Sequence, residues 1–144
     1  MILALDIATQ TGWADSNGKH GTLDLSEYNH DWGHLFHVFE GWLADMVADK
    51  QPDILAIERP FTRLGGQELL LQGLNAHAHK VGYLWGWERR ETPPTTIKKF
   101  TTGTGRATKQ DMIDAVSLWG FKPANDHEAD AIALMTYWRK HENP

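Results

Sequence analysis

The apolar positions of this chain follow two periods. "MILALDIA" is a short, mostly apolar run and reads as a buried strand. "TGWADS" and "KHGTLDL" flank Asn17-Gly18, the dipeptide of a tight hairpin. From about Asp31 to Lys50 the period changes: Leu35, Phe39, Trp42 and Met46 recur at helical spacing and predict an amphipathic helix. "DILAIE" is a second buried strand, stopped by Pro60. Gln67 to about Trp87 reads as a long helix with Leu70, Leu74, Ala78, Val81 and Trp85 on one face. "RRETPP" is extended and a candidate last strand, and Thr96 to Phe100 a short helical turn. Thr108, with Asp111 three residues on, caps a helix to Trp119. Asn125 and Glu128 give the same signal for a last helix running to about His141.

An antiparallel hairpin followed by alternating strands and helices predicts an α/β fold, a mixed five-stranded sheet with helices packed on it. That is the element order of a ribonuclease H-like fold. The length of 144 residues suits a single domain over residues 1–144 with a real core. The chain has no Cys, which excludes disulfides and Cys-based zinc sites. No secretory signal and no apolar run near 20 residues is apparent, so a cytoplasmic protein without membrane association is expected.

The net charge of −5 argues at first against a polyanionic partner, but its distribution does not. Residues 1–58 hold two Lys against ten Asp/Glu, whereas residues 59–109 hold nine Lys/Arg against three Glu. A basic middle segment between acidic ones offers nucleic acid a place to lie; ordinary surface scatter is the plainer alternative.

The chemistry sits in the acidic residues. Ile2, Ala4 and Asp6 share one strand face, as do Ile54, Ala56 and Glu58. If these strands are neighbours, about 4.8 Å apart, two carboxylates converge at one sheet end. They repel unless a hard divalent cation neutralises them. In "HEADAIAL", His127 and Asp130 are three residues apart and project from one helical face. Packing that face onto the strand ends completes a set of Asp6, Glu58, His127 and Asp130, suited to two metal ions about 3.5–4 Å apart. Solvated strand ends and an exposed first-turn histidine are the alternatives. Glu128 is expected to cap its helix, or to join the ligands if the helix is rotated.

These stretches resemble the RuvC-type Holliday junction resolvases, metal-dependent DNA endonucleases. "LALDIATQTGWA" resembles their first strand and turn, and "LAIERPF" their second acidic motif, with an aromatic at Phe61. "TPPTTIKKFTTGTGRATKQDMIDAV" resembles their basic segment and "HEADAIAL" their final motif. The resemblance implies catalytic and metal-binding roles for Asp6, Glu58, His127 and Asp130, and DNA-contacting lysines at Lys98 and Lys109. It also implies Mg²⁺ or Mn²⁺, branched DNA as partner, and a homodimer through the long helix. The short length is similar to compact versions found in phages and prophages. The histidine at position 127, a softer ligand than a carboxylate, lets Mn²⁺ serve as well as or better than Mg²⁺.

Lys98, Lys99, Arg106 and Lys109 lie in or beside the Gly-Thr-rich "TTGTGRATK", where glycines admit close backbone approach and Thr108 opens a helix. The same residues fit a flexible basic loop. Phe61 is expected either to stack on an unpaired base or to fill the core. His30, His34 and His37 are read as solvated or capping, His77 and His79 as structural or surface groups. Trp85 and Trp87 are candidates for an interface. Rival functions remain: a flap nuclease of the same fold, a non-catalytic junction-binding protein, and a sugar-kinase-like ATPase suggested by "DIATQTG".

Overall fold

The computed structural model describes residues 1–60 and 66–142. Five strands run Ile2–Asp6 (β1), Gln10–Asp15 (β2), His20–Asp24 (β3), Ile54–Glu58 (β4) and Glu88–Thr92 (β5). The helices are Trp32–Lys50 (α1), Gly66–Leu84 (α2), Pro94–Thr102 (α3), Lys109–Leu118 (α4) and Asp126–Glu142 (α5). The sheet order is β3-β2-β1-β4-β5, with β1, β2 and β3 antiparallel and β1, β4 and β5 parallel. The expected mixed five-stranded sheet is therefore present.

Strand alternation gives the sheet two unlike faces. Leu3, Leu5, Leu55 and Ile57 project to one side and pack with Leu35, Phe39, Leu43 and Val47 of α1 and Leu70, Leu74, Ala78 and Val81 of α2. Ala4, Ala14 and Ala56 project to the other, where α5 lies with Ala129, Ile132 and Ala133, flanked by Ile97, Met112 and Val116. Small residues on this side let the α5 backbone come close. Gly12 marks the closest approach: a Cβ there would sit 2.0 Å from the carbonyl oxygen of His127. The hairpin forms as expected, with Gly18 at φ 94° and Asp15 Oδ1 accepting from the N–H groups of Asn17 and Lys19. Asp15 also receives Lys50 Nζ at 2.6 Å, a buried pair joining β2 to the end of α1.

Three elements differ from expectation. On α1 the fully buried row is Leu35, Phe39, Leu43 and Val47, while Trp42 and Met46 flank it half-buried. The buried row follows the slanted i, i+4 ridge rather than a straight stripe. α2 stops at Leu84 because Gly86 takes φ 76° in the turn that follows, so Trp85 leaves the helical face and is 51% exposed. Trp87 returns to pack on the α1/α2 side of the sheet. The expected turn at Thr96 to Phe100 is a nine-residue helix. Pro94 occupies its first turn, where a missing N–H costs nothing, and Gly103 ends it at φ 91°. Among the described residues no helix is long and apolar enough to cross a membrane.

Candidate metal centre and nucleic-acid interface

The parallel pairing of β1 with β4, Leu5 opposite Ile57, sets Asp6 beside Glu58 at the carboxyl ends of both strands. Both project to the α5 side. There Asp130 joins them, and carboxylate oxygens of Asp6, Glu58 and Asp130 all lie within 4.8 Å of one another. His127 stands beside this trio rather than within it. Its Nδ1 is 3.0 Å from Asp6 Oδ2, which fixes the orientation of the most solvent-shielded carboxylate of the three.

The supports come from the backbone on both sides. After β1 the chain turns sharply: Thr11 Oγ1 donates to Ala8 O at 2.6 Å and accepts from Ala8 N–H at 3.3 Å. Asn125 caps α5 by accepting from Glu128 N–H at 2.9 Å. Its Nδ2 donates to Thr22 Oγ1, which donates to Glu128 Oε2, while His20 Nδ1 holds Glu128 Oε1 at 2.7 Å. Glu128 thus ties the first turn of α5 to β3. Burial pushes its carboxyl up, but hydrogen bonds from His20 and Thr22 outweigh this and hold it below its usual value.

Electrostatics at the trio run the other way. Burial, then the Asp6 carboxylate and Asp130, push Glu58 up to about 10. Burial and Asp6 push Asp130 up to about 7, against the pull of His127 and Lys98. The hydrogen bond to Asp6 raises His127 despite the opposing effect of its burial. Three crowded carboxylates, two of them resisting ionisation, are the donor set a hard divalent cation relieves.

The trio opens into a cleft of about 290 Å³, lined also by Lys98 of α3, Lys109 of α4, Asp126 and His127. Lys109 begins α4 behind the expected capping box of Thr108 and Asp111, is 83% exposed, and lies 3.7 Å from Asp126 Oδ2. Lys99 and Arg106 are exposed but outside the cleft lining. Phe61 lies outside the described residues. His77 pairs with Glu40 and His79 with Glu91, both structural contacts of α2. Sequence reasoning missed Asp126 and Arg59, which also line the cleft. Arg59 follows Glu58 directly in the chain.

No family model matches the chain. Among curated proteins, "Crossover junction endodeoxyribonuclease RuvC" of Rickettsia conorii is 30% identical over 106 residues, covering 70% of this chain and 67% of the relative. The protein of that name from Corynebacterium diphtheriae is 31% identical over 128 residues, covering 81% and 67%. Among solved structures, Thermus thermophilus RuvC superposes with a TM-score of 0.76 at 16% identity, covering 98% of this chain and 96% of that one. The same organism's RuvC in complex with Holliday junction substrate gives 0.77 at 13% identity, covering 97% and 94%. These neighbours share the ribonuclease H-like fold of this sheet and its helices. The expected order of strands and the identity to the curated relatives agree, and the chain belongs to the RuvC family of crossover junction endodeoxyribonucleases.

Proposed function

We propose that this protein is a divalent-metal-dependent endonuclease that resolves four-way (Holliday) junctions by hydrolysing phosphodiester bonds on opposite strands, in a bacterial or phage-infected cytoplasm. The carrying observation is the meeting of Asp6, Glu58 and Asp130 at the mouth of a cleft that also holds Lys98 and Lys109. The names of the curated relatives support the same reading.

The residues fit Mg²⁺ or Mn²⁺: three carboxylates supply hard oxygen ligands, and Glu58 and Asp130 are destabilised as anions without a cation. Asp6, Glu58 and Asp130 would hold the metal, two ions in the full site, with His127 as a fourth ligand or as the group that orients Asp6. Bound there, the cations would offset the carboxylate charge, acidify a water nucleophile and stabilise the leaving oxygen. Asp6 is kept in one rotamer by His127. His127, with its raised affinity for a proton, is placed to give or take one at Nδ1 beside Asp6. Lys98 and Lys109 contact the backbone of the cut strand, while Lys99 and Arg106 meet phosphates farther along the duplex; such contacts position DNA without reading it.

Two cuts need two sites, and a two-fold dimer provides them. Tyr83, Leu84 and Trp85, exposed by 74%, 66% and 51%, form an apolar patch at the end of α2 that a second copy would cover. Light scattering of the purified protein tests this; a monomer at micromolar concentration refutes it.

The decisive experiment is cleavage of a labelled four-way junction in Mg²⁺ and in Mn²⁺, with the parent and Asp6→Asn. Paired symmetric nicks are expected from the parent. Asp6→Asn is expected to bind the junction and leave it whole. Single cuts confined to flaps would replace the resolvase with a less selective branch nuclease. Binding without metal-dependent cutting would leave a junction-binding protein.

A further inference from the structure

The cations named so far stand on one lip of the cleft, on α3 and α4. The other lip is built by α2 and the residues following β4, and there the described residues offer one cation, Arg59. Strand alternation sends its side chain to the opposite sheet face from Glu58, the side of α2, whose Leu71 also lines the cleft. The Arg59 N–H donates to Thr92 O at 2.8 Å, continuing the β4–β5 pairing by one residue and fixing the base of the side chain.

The guanidinium is aimed rather than consumed. Its Nε lies 3.9 Å from Glu91 Oε2, and the side chain remains 58% exposed. Glu91 is itself bracketed from α2: Asn75 Nδ2 donates to Oε1 at 3.0 Å, and His79 Nε2 contacts the same oxygen at 2.8 Å. That leaves Oε2 facing Arg59. Asn75 Oδ1 is buried with no hydrogen-bond partner among the described residues. A buried amide with one end unsatisfied is costly, which apolar packing alone would not require. Asn75 is explained by what its other end does to Glu91.

We propose that Arg59 grips a phosphate of the DNA strand passing over the carboxylates, opposite Lys98 and Lys109, and that Glu91, bracketed by Asn75 and His79, is the positioning residue that aims it. The proposal rests on the nuclease reading above. Arginine suits the role because its planar fork meets two phosphate oxygens at once, whereas lysine offers a point charge. The strand would then be held from both sides, with its scissile bond centred over Asp6.

The test uses the full chain and a fluorescent four-way junction. In the Asp6→Asn background, anisotropy titrations over a salt series give the slope of log affinity against log salt. Arg59→Ala is expected to reduce that slope by about 1, the value of one phosphate contact. Arg59→Lys is expected to retain the slope. In the cutting-competent chain, Glu91→Gln is expected to lower the single-turnover rate at saturating junction several-fold when Arg59 is present, and to add no further loss to Arg59→Ala. A merely structural Glu91 would lower the rate equally in both backgrounds, which overturns its positioning role. An unchanged salt slope in Arg59→Ala overturns the grip. Should alanine disturb the fold, Arg59→Gln repeats the measurement with the stem kept. If Asp6→Asn binds junctions and Arg59 proves silent, only this proposal falls; if the parent neither binds nor cuts junctions, both readings fall.

Discussion

Gly12 gives the sharpest test of how the fold sets the site. Gly12→Ala puts a Cβ 2.0 Å from the His127 carbonyl oxygen, 2.3 Å from its carbonyl carbon and 2.9 Å from the Glu128 nitrogen. All three are backbone atoms, so no side chain can rotate away. Ordinary contact begins near 3.4 Å, so the first turn of α5 must retreat by roughly 1.4 Å or β2 must bend. Retreat is opposed by Glu128, whose bonds to His20 and Thr22 tie that turn to β3. Overpacking of this kind costs about 1–3 kcal/mol. The displaced turn carries His127 and Asp130, and a misplacement near 1 Å costs about 100-fold in rate. The expected result is a lower melting temperature, weaker Mn²⁺ binding by calorimetry, and single-turnover junction cleavage slowed by about two orders of magnitude. Gly41→Ala is the control: it lies in α1 with nothing within 4 Å of its added Cβ, and should stabilise by about 0.5–1 kcal/mol with cleavage unchanged. Parent-like Mn²⁺ affinity and cleavage in Gly12→Ala would refute the idea that this backbone contact sets the carboxylate geometry.

With metal chelated, Glu58 keeps its proton in the folded state up to about 10, whereas the unfolded chain loses it near 4.5. The folded state therefore holds the extra proton between those values, and stability falls as pH rises, by at most about 1.4 kcal/mol per unit. The raised values of Asp130 and His127 act in the same direction. Thermal melts in chelator from pH 5 to 8 should decline, and Glu58→Gln should flatten most of the decline; an unsloped parent profile contradicts the electrostatic account. Lys109→Ala removes a side chain 83% exposed at the cleft edge, so it should leave the fold intact, weaken junction binding and reduce the salt slope by about 1. An unaltered slope removes Lys109 from the interface.

Much of this architecture was legible because strand alternation leaves a mark in the residues themselves. "ILALD" and "ILAIE" each carry an alanine followed by an acidic residue along one face and only leucine or isoleucine along the other between them, so the face that bears the carboxylates could be read before the fold was known. The i, i+3 spacing of His127 and Asp130 carried the same information for the helix. The sequence could not give the difference between Asp130, which joins the carboxylates, and His127, which contacts only Asp6 among them. That depends on how α5 is rotated, and its rotation is set by Gly12 and by the Glu128 contacts to β3. The stripe on α1 was misassigned by one position at Trp42 and Met46, because either of two neighbouring rows satisfies a helical period. Arg59 was overlooked because its meaning depends on Glu91, Asn75 and His79, which come from two other elements.

The pair His127 and Asp6 spans 121 residues, and Asp130 lies farther still from β1. On a translating ribosome, a nascent chain that has not yet made α5 has two carboxylates and an uncovered face of Ile2, Ala4, Ala14, Ile54 and Ala56. The segment that covers this face also delivers the last acidic group. The last helix to be synthesised is thus needed both to cover this side of the sheet and to complete the carboxylate trio, so a chain that stops before it would lack the full candidate site.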